Sequence, residues 1–341
     1  MTATKIVCFG EMMMRLHAPA FQRFTATRAF DILYTASEAN VAVLLRLLGK
    51  NVSFITRLPG NDLGTAAIRE LNAFGVDTSE ILRGGDRLGL FFTEMGNENR
   101  PGRVIYDRTD SAFANLKRGE INWKRIFEEV DWFHWSGISA AVSGSAAEVC
   151  REALEAAKEN GIKISVDLNY RSMLWKYGKQ PVEVMPELVR YCDVMICDLD
   201  AAAICLGVQN TRHSTTLEAF EACTTDIRKA FPDLQTVAMS FRRMNERSVQ
   251  EYSACLNMNA SSYVSNVLQL GTIVDRIGSG DAFTGGLIFA LMNGYTPEKI
   301  INFATACGAI KHSMPGDYTN TNLQEIEAFL DNQGREGKII R

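Results

Sequence analysis

Short apolar runs alternate with helical stretches along most of this chain, and that alternation leaves few folds open. A strand with no polar face must be covered on both sides, and helices connecting successive parallel strands provide the cover. The runs near Ile6 to Phe9, Val52 to Ile55, Trp132 to Trp135, Ile162 to Val166, Val194 to Ile196 and Val237 to Met239 read as such strands. Residues 38–49, 63–74, 144–159 and 217–229, rich in Ala, Leu, Glu and Lys, read as helices between them. The fold class that follows is α/β, a mainly parallel sheet flanked by helices.

Two stretches break the rhythm, residues 11–35 and residues 86–110. In the second, Gly-Leu-Phe-Phe-Thr-Glu and Arg-Val-Ile-Tyr-Asp-Arg read as strands separated by a polar turn. Both stretches are expected to form a small antiparallel sheet appended to the main one. No repeat, low-complexity tract or flexible linker divides the chain, so residues 1–341 are expected to form one unit. At 341 residues, with 46% hydrophobic and 22% charged content, the chain can bury a large core.

A net charge of -4 gives no basic footprint for nucleic acid or an anionic membrane, so an anionic ligand would need a local arginine cluster. No apolar run reaches signal-peptide or membrane-span length, which makes the cytoplasm the expected compartment. The 8 cysteines are scattered without CxxC pairing or a histidine cluster, the pattern of reduced core residues. His134, Trp132 and Trp135 share a presumed buried strand and read as packing. His17, His213 and His312 have no evident partner in the sequence and receive no functional role.

The segment Val274 to Gly286 carries the strongest chemical signal. Gly278, Ser279 and Gly280 form a glycine-rich turn, Asp281 follows, and an apolar-periodic helix begins there. Free amides and the positive dipole end at a helix start make a seat for phosphate or a developing anion. Phosphoryl transfer needs a base for the attacking hydroxyl and donors for the charge on the transferred group. Asp281 and the amides of residues 278–281 can supply both. An N-cap on an ordinary core helix is the competing reading of the same residues.

Gly-Ser-Gly-Asp-Ala-Phe at 278–283 closely resembles the signature of the ribokinase-like (PfkB) sugar kinases. The Ser37-Glu38-Ala39-Asn40-Val41-Ala42 and Leu58-Pro59-Gly60-Asn61-Asp62-Leu63-Gly64 segments resemble further motifs of that family. The resemblance implies a Rossmann-like kinase domain with a β-sheet lid, ATP and Mg²⁺ as cofactors, a small-molecule acceptor, and a homo-oligomer, a dimer through the lid. It makes Asp281 the catalytic base and Gly278, Ser279 and Gly280 the anion hole. Asn40 is implied on the substrate side, and Asp198 and Ser240 on the nucleotide side, with no metal ligand assigned.

Within the family, Arg100 to Arg108, Phe133 to Ile138, Val166 to Arg171 and Lys311 to Asp317 are particularly like 2-keto-3-deoxygluconate kinases. That resemblance implies that Arg108 and Arg171 hold the carboxylate of a sugar acid, with Tyr106 and Phe91 on the sugar. A guanidinium fork matches a carboxylate, and a neutral hexose would not require two of them. Departures from the family pattern are Thr35-Ala36 in place of two glycines, Asp198-Leu199-Asp200-Ala201 in place of Asn-x-x-Glu, Arg276 in place of Thr, and Ser240-Phe241-Arg242-Arg243. A kinase for fructose or another neutral sugar, and a binding protein without turnover, stand as the alternatives. A nicotinamide-dependent dehydrogenase fits poorly, because the glycine motif lies far from a first βαβ unit.

Overall fold

The computed structural model describes residues 4–97, 100–209 and 215–332; His213 lies outside them. Six parallel strands run side by side in the order Asn51–Ile55, Lys5–Phe9, Trp132–Ser136, Lys163–Asp167, Val194–Ile196 and Thr236–Met244. All six runs expected from the sequence are there. Alternate residues of each strand serve opposite layers, since side chains change face at every step. Val7 and Phe9 join the core with Phe133, Trp135, Ile164 and Val166. Ile6 and Cys8 join the other with Trp132, Val194 and Ile196.

The helices Ser37–Leu47, Asp62–Ala73, Gly144–Glu159 and Thr216–Ala230 match the four helical stretches to within two residues. All eight cysteines are buried and free. His134 is buried, and burial pushes its imidazole down to about 3, so it is neutral, with Nδ1 on the Ser165 hydroxyl at 2.9 Å. Among the described residues no helix is long and apolar enough to cross a membrane.

Beyond Thr236–Met244 the sheet turns antiparallel through Gln250–Met258, to which both Ser261–Val264 and Leu268–Gln269 pair. These edge strands join by short connections, which antiparallel pairing permits and parallel pairing does not.

The second sheet comes from the two irregular stretches, in the order Asp31–Thr35, Met13–His17, Gly89–Glu94, Arg103–Asp107. The expectation of an antiparallel sheet needs correction. Met13–His17 and Gly89–Glu94 pair in parallel, while each pairs antiparallel with its own hairpin partner. Two separate excursions of the chain each make a hairpin, and the hairpins join through their first strands, which run in the same direction.

Candidate active site

The strand order reverses at Lys5–Phe9: the next strand lies on one side of it and all later ones on the other. In open α/β sheets a crevice forms at the carboxyl ends of the strands where the order reverses, and ligands bind there. Gly10 closes the first strand, and a Cβ on it would fall 2.1 Å from a carboxylate oxygen of Glu38. Glycine here lets the helix Ser37–Leu47 bring Glu38 into the crevice. The Glu38 carboxylate is fully buried and accepts hydrogen bonds from Ser136 Oγ at 2.6 Å and Ser139 Oγ at 2.9 Å. Burial raises its pKa and those hydroxyls oppose the rise.

Across the crevice the helix Ser279–Met292 begins at Gly278, whose φ of +84° lies in the left-handed region. A Cβ there would meet the Asp317 carbonyl oxygen at 2.1 Å, so position 278 excludes any side chain both by conformation and by space. Beside Gly280 the space is open. The amides of Gly280 and Asp281 lie in the first helical turn, where no carbonyl one turn earlier can accept them.

Asp281 is buried in that turn. Its Oδ1 accepts from Ser37 Oγ at 2.5 Å and its Oδ2 from Asn40 Nδ2 at 2.6 Å. Ser37 Oγ in turn accepts from Asn169 Nδ2 at 2.8 Å. Thr35 Oγ1 donates to Asn40 Oδ1 at 2.9 Å, which turns the Asn40 amide so that its NH₂ end faces Asp281. The threonine that replaces a glycine of the family pattern therefore orients a group bound to the key carboxylate. Burial raises the Asp281 pKa; the Ser37 and Asn40 hydrogen bonds and the Arg171 charge pull it down. Two helix N-termini thus converge on one buried carboxylate, an arrangement suited to a base beside an anion seat.

Residues 3–323 match the sequence profile of the pfkB family carbohydrate kinases. The chain belongs to that family. It is 30% identical over 333 residues to the 2-dehydro-3-deoxygalactonokinase of Haloferax volcanii, covering 97% of each chain. The crystal structure of a 2-dehydro-3-deoxygluconokinase from Thermotoga maritima superposes with a TM-score of 0.90 at 36% identity, covering 96% of this chain and 99% of that one. A putative ribokinase II from E. coli, solved in complex with ATP and Mg²⁺, shares the fold at a TM-score of 0.79 and 20% identity, over 96% and 99% of the two chains.

In this carbohydrate kinase the expected site residues fall into two groups. Asp281, Gly278, Gly280 and Asn40 meet at the crevice. Ser279 is beside them, with its hydroxyl donated to the Arg276 carbonyl at 3.0 Å. Arg171 is exposed, bonds its own neighbour's carbonyl on Tyr170 at 2.9 Å, and lends its charge to Asp281 and Asp167. The second group is engaged elsewhere. Arg108 is buried in an ion pair with Glu11 and lies over the Tyr106 ring, 5.8 Å from its centroid. It is neither a solvated arginine nor one shown converging with Arg171. Phe91 packs within the lid at 6.1 Å from Tyr106, ring centre to ring centre. Asp198 caps the helix Leu199–Leu206 by accepting from the Ala201 amide at 2.6 Å. Ser240 is half-buried on Thr236–Met244.

Glu11, Arg15 and Asp167 were not singled out in the sequence, although Asp167 lies within the family-like segment Val166 to Arg171, since each acquires its role from a distant partner. Asp167 ends its strand next to the site. Burial, and then the charge of Asp281, raise its pKa to about 7, and Thr284 Oγ1 lies 3.5 Å from its Oδ2. Among the described residues no group of three or more His, Cys, Asp or Glu is spaced to hold a metal ion.

The raised Asp167 pKa makes a pH prediction. An acid whose pKa is raised by folding destabilises the protein above that pKa, and the penalty is relieved as pH falls through about 7 toward the ordinary 3.8. The full penalty is on the order of 4 kcal/mol at most. Asp167→Asn should therefore be more stable than wild type at pH 8, with the margin shrinking toward pH 5. Thermal unfolding across that range checks it; a margin that does not change with pH contradicts it.

Proposed function

We propose that this kinase transfers the γ-phosphoryl group of ATP to the 6-hydroxyl of 2-keto-3-deoxygluconate or a closely related sugar acid. The observation that carries the reading is Asp281, held by Ser37 and Asn40 beside the open side of a glycine turn. The names of the similar kinases, both acting on keto-deoxy sugar acids, support the substrate class.

The chemistry is a single in-line displacement. Asp281 accepts the hydroxyl proton as the substrate oxygen bonds to the γ-phosphorus, and the bond from phosphorus to the β,γ-bridging oxygen breaks to release ADP. The amides at 278–281 take the charge on the transferred group. Mg²⁺, when bound with the nucleotide, neutralises phosphate charge; with no cage of acids among the described residues, it would be held mainly by phosphates and water, with Asp198 nearby as a carboxylate on the nucleotide side. Arg171, exposed and already felt electrostatically by Asp281, is assigned the substrate carboxylate. Phe91 and Tyr106 form the lid surface over the sugar. Arg108 has Glu11 as its carboxylate and shapes that surface. This engagement favours a second reading, a neutral-sugar kinase in which one arginine at the rim has no substrate charge to meet. The exposed Ile32 and Ile105, which share the lid face of Phe92 opposite Phe91 and Tyr106, support a dimer formed through the lid.

Asp281→Asn keeps the shape of the side chain and removes the base. It should lower kcat by about 10² to 10⁴ while ATP affinity changes little; near-normal turnover in the folded variant would sink the assignment. Arg171→Ala should raise KM for the sugar acid about 10-fold, the scale of one charge-assisted hydrogen bond, and leave KM for ATP unchanged. An unchanged KM for the acid selects the neutral-sugar reading.

A further inference from the structure

Arg15 stands on the lid strand Met13–His17, yet it is 1% exposed and its guanidinium reaches across to the loops that frame the glycine turn. On the lid side, Nε donates to Thr93 Oγ1 at 2.9 Å and Nη2 lies 3.3 Å from His17 Nδ1. On the other side, Nη1 and Nη2 both donate to Asp275 Oδ2 at 3.2 Å, and Nη1 is ion-paired with Asp317. Every nitrogen of the fork is engaged, two carboxylates on one side and the lid on the other.

Those carboxylates belong to the two walls of the turn. Asp275 Oδ1 accepts from the Ile277 amide at 3.0 Å, one residue before Gly278. Asp317 is the residue whose carbonyl oxygen occupies the space a Cβ of Gly278 would need. Lys311, with its Nζ on the Met314 carbonyl at 3.1 Å, backs the same turn. Asp275 and Asp317 lie 260 and 302 residues from Arg15 in sequence, and Arg15 touches both at once; the lid meets the same wall a second time where Tyr318 Oη donates to the Tyr34 carbonyl at 2.7 Å. A rigid planar fork can fix the distance between three groups at once, which a single ammonium cannot.

We propose that Arg15 is a positioning residue that couples the lid sheet to the glycine turn, so that the placement of the turn amides and of Asp281 depends on where the lid sits. The proposal rests on the kinase reading of that turn. It assigns the lid a mechanical role in phosphoryl transfer besides covering the sugar. A misplacement of the order of 1 Å at reacting groups costs up to about 10²-fold in rate, so a loose turn should be read mainly in kcat.

The test uses Arg15→Gln and Arg15→Lys in the full chain. Amide hydrogen exchange without any ligand probes the coupling independently of which sugar is the substrate. Faster exchange at residues 277–282 in both variants, with the strands of the main sheet protected as in wild type, is expected. With the sugar that wild type phosphorylates best, kcat should fall about 10-fold or more in Arg15→Gln, with KM for sugar and ATP within about 3-fold, and Arg15→Lys should recover part of the loss. Should the glutamine variant not fold, the lysine variant carries both measurements, because it keeps the charge between Asp275 and Asp317. Unchanged exchange at the turn, a uniform loss of protection across the molecule, or wild-type kcat in either folded variant overturns the coupling. Failure of wild type to phosphorylate any sugar refutes the kinase reading and is distinct from an exchange result.

Discussion

The site depends on one buried carboxylate being held by groups that the chain delivers from far away. Asp281 is reached by Ser37 and Asn40 from a helix that starts more than two hundred residues earlier. The two helices can face each other only because both start at the carboxyl edge of the sheet, where the strand order reverses. Gly10 and Gly278 are the places where that convergence is tightest, since each abuts an atom that a side chain would displace. Hydrogen bonding offsets part of the desolvation of the Asp281 carboxylate while leaving it basic, the condition a general base requires.

Around this carboxylate the protein manages an excess of buried negative charge. Glu38 is surrounded by serine hydroxyls, Asp275 and Asp317 share Arg15, Glu11 takes Arg108, and Asp167 has only partial relief. Buried ion pairs of this kind are poor sources of net stability, because desolvation opposes their attraction. Their value here is geometric. Each joins segments that belong to different parts of the chain, and two of them, through Arg15 and Arg108, tie the lid strands to residues at the mouth of the crevice.

The parallel strands were legible in the sequence because residues covered on both faces must be apolar throughout, and the main helices because their periodicity is long enough to register. The parallel joining of the two lid hairpins was not, since pairing between distant strands leaves no mark in either one. The glycine turn, Asp281 and Asn40 could be found from local spacing and family resemblance. Arg108 shows the limit of that route: the local segment places it on the lid, but its carboxylate partner, Glu11, lies 97 residues away and its selection is a matter of the fold. Thr35 shows the converse, a departure from a familiar pattern whose meaning appears only when its hydroxyl is seen turning Asn40 toward Asp281.

The most direct test of the central claim, a phosphotransferase tuned to a sugar acid, is the specificity constant measured side by side for four acceptors. These are 2-keto-3-deoxygluconate, its galactonate epimer, fructose and ribose, each at saturating MgATP. One or two charge-assisted hydrogen bonds to a carboxylate are worth about 1.5 to 3 kcal/mol each, so kcat/KM for the better keto-deoxy acid should exceed that for either neutral sugar by about 10²-fold or more. Fructose or ribose phosphorylated within a few-fold of the acids would contradict the account and leave a neutral-sugar kinase in its place.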